Sequence, residues 1–140
     1  MKIFWDTNLF IYLWERQGDA SEMEALCEWI ESERHTIVTS SLTLGEILVQ
    51  PLRLGREETA DQYRRGFAGL EIVSFDSKAA NEFARLRALH PGLRPPDAIQ
   101  LACAVNSQCN VFLTNDDRLG KGEIVAGLKT LPLSRWKDGV

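Results

Sequence analysis

Four acidic residues stand where apolar segments begin or end: Asp6 after Lys2 to Trp5, Glu46 soon after Ser40-Ser41, Asp97 after Pro95-Pro96, and Asp116 after Val111 to Thr114. Carboxylates gathered in one place repel one another, and taking even one ion out of water costs several kcal/mol. A divalent cation relieves that repulsion. His35 and His90 are far apart and the three cysteines lack C-x-x-C spacing, so the candidate ligands are all oxygens, which favours Mg2+ or Mn2+ over zinc. Magnesium keeps waters and substrate phosphates in its shell. The chemistry such a set could carry is phosphate chemistry with water as nucleophile, the metal acidifying a bound water and steadying the developing charge.

Taken singly, each acid also has a structural role open to it. Asp97 could complement the positive end of a helix, Asp116 could sit in a turn, and Glu46 could close a Thr43-x-x-Glu46 capping box. Placement is what joins them. Asp6 and Asp116 each follow a predicted parallel strand, while Glu46 and Asp97 lie in early helical turns, and in an open α/β sheet all four positions fall at the same carboxyl edge. Thr7, Asn8, Ser40, Thr43, Thr114 and Asn115 are interleaved with the acids as accessory polar groups that could orient carboxylates or waters, capping being the alternative. Arg94, Arg118 and Lys121 flank the same segments as possible phosphate contacts, or as solvated surface.

The elements that must position these residues follow from periodicity. Lys2 to Trp5 reads as a buried strand and Asn8 to Trp14 as an apolar helix, broken at Gln17-Gly18-Asp19. Ser21-x-x-Glu24 has capping-box form ahead of a helix reaching about Glu33, and the β-branched run before Ser40 suits a second strand. Ser40 or Ser41 caps a third helix ending near Pro51 or Gly55, and Glu57 to Phe67 predicts a peripheral charged helix loosened by Gly66 and Gly69. Glu71 to Phe75 is a third strand. Asp76 caps a helix whose inward stripe is Ala79, Phe83, Leu86 and Leu89, and Pro95-Pro96-Asp97 opens an almost wholly apolar helix to Val105. Val111 to Thr114 and Leu128 to Leu133 complete the strands. Strands alternating with helices, without an Asn-Gly hairpin signal, predict a parallel sheet covered on both faces.

Composition narrows the class. The chain has 140 residues, 44% of them hydrophobic, which is enough for one domain with a substantial core. A formal charge of -4 and a pI near 5.2 exclude nucleic-acid binding by bulk electrostatics, so a polyanion must be met locally. Cys27, Cys103 and Cys109 read as buried reduced thiols. Trp5, Trp14 and Trp29 sit in apolar segments as core residues, whereas Trp136 near the tail is a candidate exposed interface residue. No run approaches the roughly 20 apolar residues of a membrane span, and the N-terminus lacks signal-peptide features, which predicts a soluble cytoplasmic protein.

Together these motifs resemble the PIN-domain ribonucleases, and among them the VapC-like toxins of type II toxin–antitoxin pairs. The resemblance is carried by Asp6-Thr7-Asn8, Ser40-x-x-Thr43-x-x-Glu46, Pro96-Asp97-Ala98-x-x-Leu101-Ala102 and Leu113-Thr114-Asn115-Asp116, in that order over nearly the whole chain. It implies an αβα sandwich with a five-stranded parallel sheet as one nuclease domain over residues 1–140. It further implies cleavage of RNA with Mg2+ or Mn2+, a homodimer, and a cognate antitoxin protein. By the family pattern Asp6, Glu46, Asp97 and Asp116 are the catalytic and metal-binding acids, with Asn8, Thr43 and Thr114 or Asn115 accessory. Asp117 is an extra acid beside the fourth position. Three other readings are a PIN-like nuclease of RNA processing, a phosphotransferase using Asp6 as nucleophile, and a module without nuclease activity, either protein-binding or receiver-like and phosphorylated at Asp76. The second lacks the D-x-D it would need, and the third leaves Glu46 and Asp97 unexplained.

Overall fold

The computed structural model describes residues 1–15, 20–119 and 122–139; the expected break at Gln17-Gly18-Asp19 and Lys121 fall outside them. Six strands and seven helices are described: β1 (Lys2–Trp5), α1 (Thr7–Trp14), α2 (Ala20–Ser32), β2 (Thr36–Ser40), α3 (Ser41–Arg53), α4 (Glu57–Phe67), β3 (Glu71–Val73), α5 (Ser77–Leu89), α6 (Pro95–Asn106), β4 (Val111–Thr114), β5 (Gly122–Val125), β6 (Leu128–Pro132) and α7 (Trp136–Gly139). They form one sheet in the order β3-β2-β1-β4-β6-β5. The five expected parallel strands are there, β3 to β6 across the sheet, and β5 adds an antiparallel edge. That hairpin carries no Asn-Gly. Its turn is made by Ala126-Gly127, with Gly127 at φ +84, a conformation that glycine reaches without steric cost.

Alternation along the strands builds two cores. Ile3 and Trp5 of β1, with Val111 and Leu113 of β4, face α1, α2, α3 and α4 through Leu9, Phe10, Met23, Leu26, Ile47 and Phe67. Phe4 and Phe112 point the other way, stacked with ring centroids 5.3 Å apart, and meet α5 and α6 through Ala79, Leu86, Ala98 and Leu101. This is the covered parallel sheet that the near-continuous apolar runs imply.

The order of the strands decides where a site can form. From β1 the chain steps outward to β2 and β3, then crosses back to lay β4 on the other flank of β1. Connections leaving in opposite directions open a crevice at the carboxyl ends of β1 and β4. Trp5 pairs with Leu113 at that edge, and the Asp6 amide donates to the Leu113 carbonyl at 3.0 Å.

Some local expectations change. α2 starts at Ala20, so Ser21 lies in its first turn instead of capping it. Leu89, the last residue of α5, is 66% exposed, and the burial on that helix is by Ala79 and Leu86. Trp136 is buried, its ring 5.3 Å from that of Trp29, because the chain after β6 folds back onto the same core as α2. Cys103 and Cys109 are buried and Cys27 is half-buried.

Helix α4 is anchored more firmly than its charge suggested, and Gly66 is the reason. The helix runs through Gly66 to Phe67, which is fully buried against Phe10 and Trp14. A Cβ on Gly66 would stand 2.9 Å from Cζ2 of Trp14, a ring already held by Tyr63, Phe10 and Phe67. Alanine would gain about 1 kcal/mol in helix propensity, but overpacking costs about 1–3 kcal/mol. Gly66→Ala is therefore expected to lower the urea-unfolding free energy by about 1 kcal/mol, whereas Gly69→Ala, with open space around it, leaves stability unchanged or raises it. Equal behaviour of the two variants would remove the packing role of Gly66.

Candidate active site

Asp6, Glu46, Asp97 and Asp116 line one cleft of about 310 Å³, together with Thr7, Asn8, Ile11, Arg94, Pro96 and Gln100. Four chain segments meet there. Asp6 ends β1 and N-caps α1, Glu46 stands one turn into α3, Asp97 is in the first turn of α6, and Asp116 follows β4. Asp117 is exposed and does not line the cleft, so of the two adjacent acids Asp116 is the one that faces it.

Asp6 is the deepest of them. Its Oδ1 accepts the Thr7 amide at 2.9 Å, and its Oδ2 accepts the Thr114 hydroxyl at 2.9 Å and, more weakly, the Asn8 amide at 3.4 Å. Burial pushes its pKa up to about 6 against the donors Thr114 and Thr7, and the charges of Asp97 and Glu46 add to the rise. Thr114 sits at the centre of this corner, also accepting from Asn8 Nδ2 at 3.2 Å and from the Asp116 amide at 3.1 Å. Asn8 Oδ1 in turn accepts the Asn115 amide at 2.9 Å. Asn115 therefore contributes through its backbone, while its side chain is exposed.

The outer acids are balanced by arginine. Arg94 Nε lies 3.1 Å from Asp97 and its Nη2 lies 3.5 Å from Asp116. Arg118 grips Asp116 with two donors at 3.0 and 2.7 Å, and its hydrogen bonding holds the Asp116 carboxyl below the usual carboxylate range. Both arginines are exposed, which makes these pairs easy to exchange for another cation or anion.

Beneath the cleft lies a polar cluster that the acid motifs alone do not announce. Thr43 is fully buried and accepts from Gln100 Nε2 at 2.7 Å, and Gln100 also donates to Thr7 Oγ1 at 3.1 Å. The Thr7 hydroxyl donates to Glu46 Oε1 at 2.8 Å and lies 3.2 Å from Thr43 Oγ1. Gln100 has a sequence signal in hindsight: it is the lone amide within Ala98-Ile99-Gln100-Leu101-Ala102-Cys103, and a buried amide must find partners. Asp76, the residue of the receiver-like reading, is spent elsewhere, capping α5 through the Ala79 amide at 2.9 Å.

The donor set suits a hard divalent cation. The carboxyl and hydroxyl oxygens of Asp6, Thr7, Glu46, Asp97 and Asp116 surround the cleft, and among the described residues no imidazole or thiol lines it. As the side chains stand, no three His, Cys, Asp or Glu among the described residues are drawn together tightly enough to hold an ion. Arg94 and Arg118 take up Asp97 and Asp116 instead. The three cysteines stand outside the cleft lining, and burial raises all their thiols, those of Cys103 and Cys109 to about 11 and about 12.

The pKa of Asp6 carries a stability consequence with a definite sign. Its folded value, about 6, lies above the ordinary 3.8, so the favourable contribution is complete below 3.8 and is lost as pH rises toward 6. At about 1.4 kcal/mol per pH unit the loss reaches about 3 kcal/mol. In metal-free protein, Asp6→Asn is expected to be more stable than wild type at pH 7.5, by up to about 3 kcal/mol, and to lose that advantage at pH 4. Urea unfolding in chelator at the two pH values measures it, and a pH-independent difference would contradict the assignment.

Comparison with known proteins agrees with this architecture. No curated protein matches the sequence. Among solved structures, the chain is similar to VapBC2 from Rickettsia felis bound to a promoter DNA fragment, with TM-score 0.76 and 18% identity over 94% of this chain and 98% of that one. It is similar to DNA-bound VapBC from Salmonella typhimurium, with TM-score 0.72 and 21% identity over 95% and 98%. VapBC-5 from Mycobacterium tuberculosis, a member of the VapBC family of toxin–antitoxin systems, gives TM-score 0.61 and 22% identity over 94% and 98%. These likenesses speak for the fold. The PIN-domain family model matches residues 3–123, from the first residues of β1 into β5, and the chain belongs to the PIN-domain family.

Proposed function

We propose that this protein is a metal-dependent endoribonuclease and the toxin of a toxin–antitoxin pair. The observation that carries the reading is the cleft itself: four carboxylates from four separated segments line it at the β1/β4 switch point. Structural neighbours that are VapBC toxin–antitoxin complexes support a cognate antitoxin as partner, and the same reading assigns a homodimer acting in the cytoplasm. No helix among the described residues is long and apolar enough to cross a membrane.

In this reading Asp6, Glu46, Asp97 and Asp116 hold Mg2+ or Mn2+. The metal, when bound, supplies charge for the scissile phosphate and an acidified water. The protein's own groups do the rest. Thr114 and the Thr7 amide hold the Asp6 carboxylate in one orientation, and Asn8 ties that corner to the turn after β4. Arg94 and Arg118 sit at the mouth of the cleft, where an arriving phosphate competes with Asp97 and Asp116 for their guanidinium groups. Room for a polymer is also there. Arg94, Asp97 and Asp116 are shared with a groove of about 470 Å³ that is lined in addition by His90, Leu93 and Arg118. Such a strand would be engaged by local charge, as the net charge of -4 requires.

Purified protein is expected to cleave RNA internally with Mg2+ or Mn2+, leaving 5′-phosphate and 3′-hydroxyl ends, and to stop on chelation. Asp97→Asn, at a partly exposed site, should lower the rate at least ~100-fold while circular dichroism stays that of wild type. Cleavage that survives chelator, or an Asp97→Asn variant with wild-type activity, would sink the proposal.

A further inference from the structure

We infer that Gln100 is a positioning residue for the Glu46 carboxylate, acting through the hydroxyl of Thr7; the inference rests on the nuclease reading of the cleft. Gln100 is 2% exposed within an otherwise apolar stripe of α6 formed by Ala98, Leu101, Ala102, Cys103 and Ala104. It lies one turn beyond Asp97, on the cleft floor. A buried amide there is costly unless its donors and acceptor are all used. They are: Oε1 accepts the Ser40 hydroxyl, and Nε2 donates to Thr43 Oγ1 at 2.7 Å and Thr7 Oγ1 at 3.1 Å.

The direction of these bonds is set from one end. The Glu46 carboxylate can only accept, so Thr7 gives its single hydroxyl hydrogen to Glu46 Oε1 and must itself accept from Gln100 Nε2. Gln100 must then turn its oxygen to Ser40 and its NH2 to the two threonines. Ser40, whose Oγ accepts the Thr43 amide at 3.3 Å as the N-cap of α3, donates to Gln100 Oε1, and Thr7 Oγ1 stands 2.8 Å from Glu46 Oε1 against 3.2 Å from Thr43 Oγ1. The series Ser40, Gln100, Thr7, Glu46 therefore runs one way, across β2, α6, α1 and α3.

Glu46 has particular need of it. Asp6 is held by the Thr7 amide and Thr114, and Asp97 and Asp116 by arginines, while Glu46 is exposed and its hydrogen bond among the described residues comes from Thr7. A free glutamate on a helix surface samples several rotamers. The buried amide removes that freedom by fixing the donor that Glu46 accepts from.

The test is a mutant cycle on the full-length protein. Mn2+ alone is titrated by electron paramagnetic resonance, and kcat and KM for RNA and the thermal midpoint are recorded in parallel. The variants are Gln100→Leu, Thr7→Val and Thr7→Ser, each alone and in a Glu46→Gln background. Gln100→Leu and Thr7→Val should each weaken Mn2+ binding about 10- to 100-fold. Thr7→Ser, which keeps the hydroxyl, should restore it. In the Glu46→Gln background neither substitution should weaken binding further, a coupling that a purely structural amide would not produce. Should Gln100→Leu fail to fold, Thr7→Val decides, since it leaves Gln100 in place. Wild-type Mn2+ affinity in these variants, or losses that simply add to that of Glu46→Gln, overturns the inference and leaves the nuclease reading standing. Wild-type protein that neither binds Mn2+ nor cuts RNA overturns both.

Discussion

The site depends on keeping a carboxylate ionisable at the end of the central strand. Asp6 is 7% exposed, and burial raises its pKa, favouring the neutral form. Its donors come from Thr7 and Asn8, which follow it, and from Thr114, more than a hundred residues away. Thr114 can serve only because β4 pairs with β1 in a register that sets Leu113 beside Trp5. That register is protected by the side chains it buries: Ile3, Trp5, Val111 and Leu113 in one core, Phe4 and Phe112 in the other. A slip of one residue would exchange the two faces and lose both packings.

From this corner the polar groups divide into two layers of different character. The lower layer is buried and hydrogen-bonded, built from Ser40, Thr43, Thr7 and Gln100 between α1, α3 and α6. Rigidity is what such a closed network supplies. The upper layer is wet, with Arg94 and Arg118 lying over Asp97 and Asp116. Exposed ion pairs are worth little and rearrange readily. A site made this way has a fixed base and an exchangeable cover, which suits an anionic substrate entering a protein whose own charge is negative.

The fold also explains why so few residues suffice. The reversal of strand order at β1 and β4 brings Asp6 and Asp116 to one cleft without any loop designed for the purpose, and the second turn of α3 and the first turn of α6 add Glu46 and Asp97. Packing around Trp14 then limits how α1 can move relative to α4, because Gly66 lets the two approach within contact of the ring. Thr7 is carried on that same helix.

Much of this was legible in the chain itself. Apolar runs of strand length, alternating with helical periodicity, determined a parallel sheet covered on both faces, and the caps Ser40 and Asp76 marked helix starts because a side-chain acceptor there meets a free backbone amide. The four acids could be picked out for the same local reason: each stands at the end of an apolar element. Other features are decided only by contacts between distant segments. The β5–β6 hairpin turns on Gly127 without a distinctive dipeptide, and the burial of Trp136 depends on α7 meeting α2. Gln100 looks like an ordinary break in an apolar stripe until Thr7, Thr43 and Ser40 are brought around it. Local sequence sets backbone preference and side-chain periodicity. Which polar group meets which is set by tertiary structure, because hydrogen bonds and charge pairs depend on ångström distances that sequence separation does not encode.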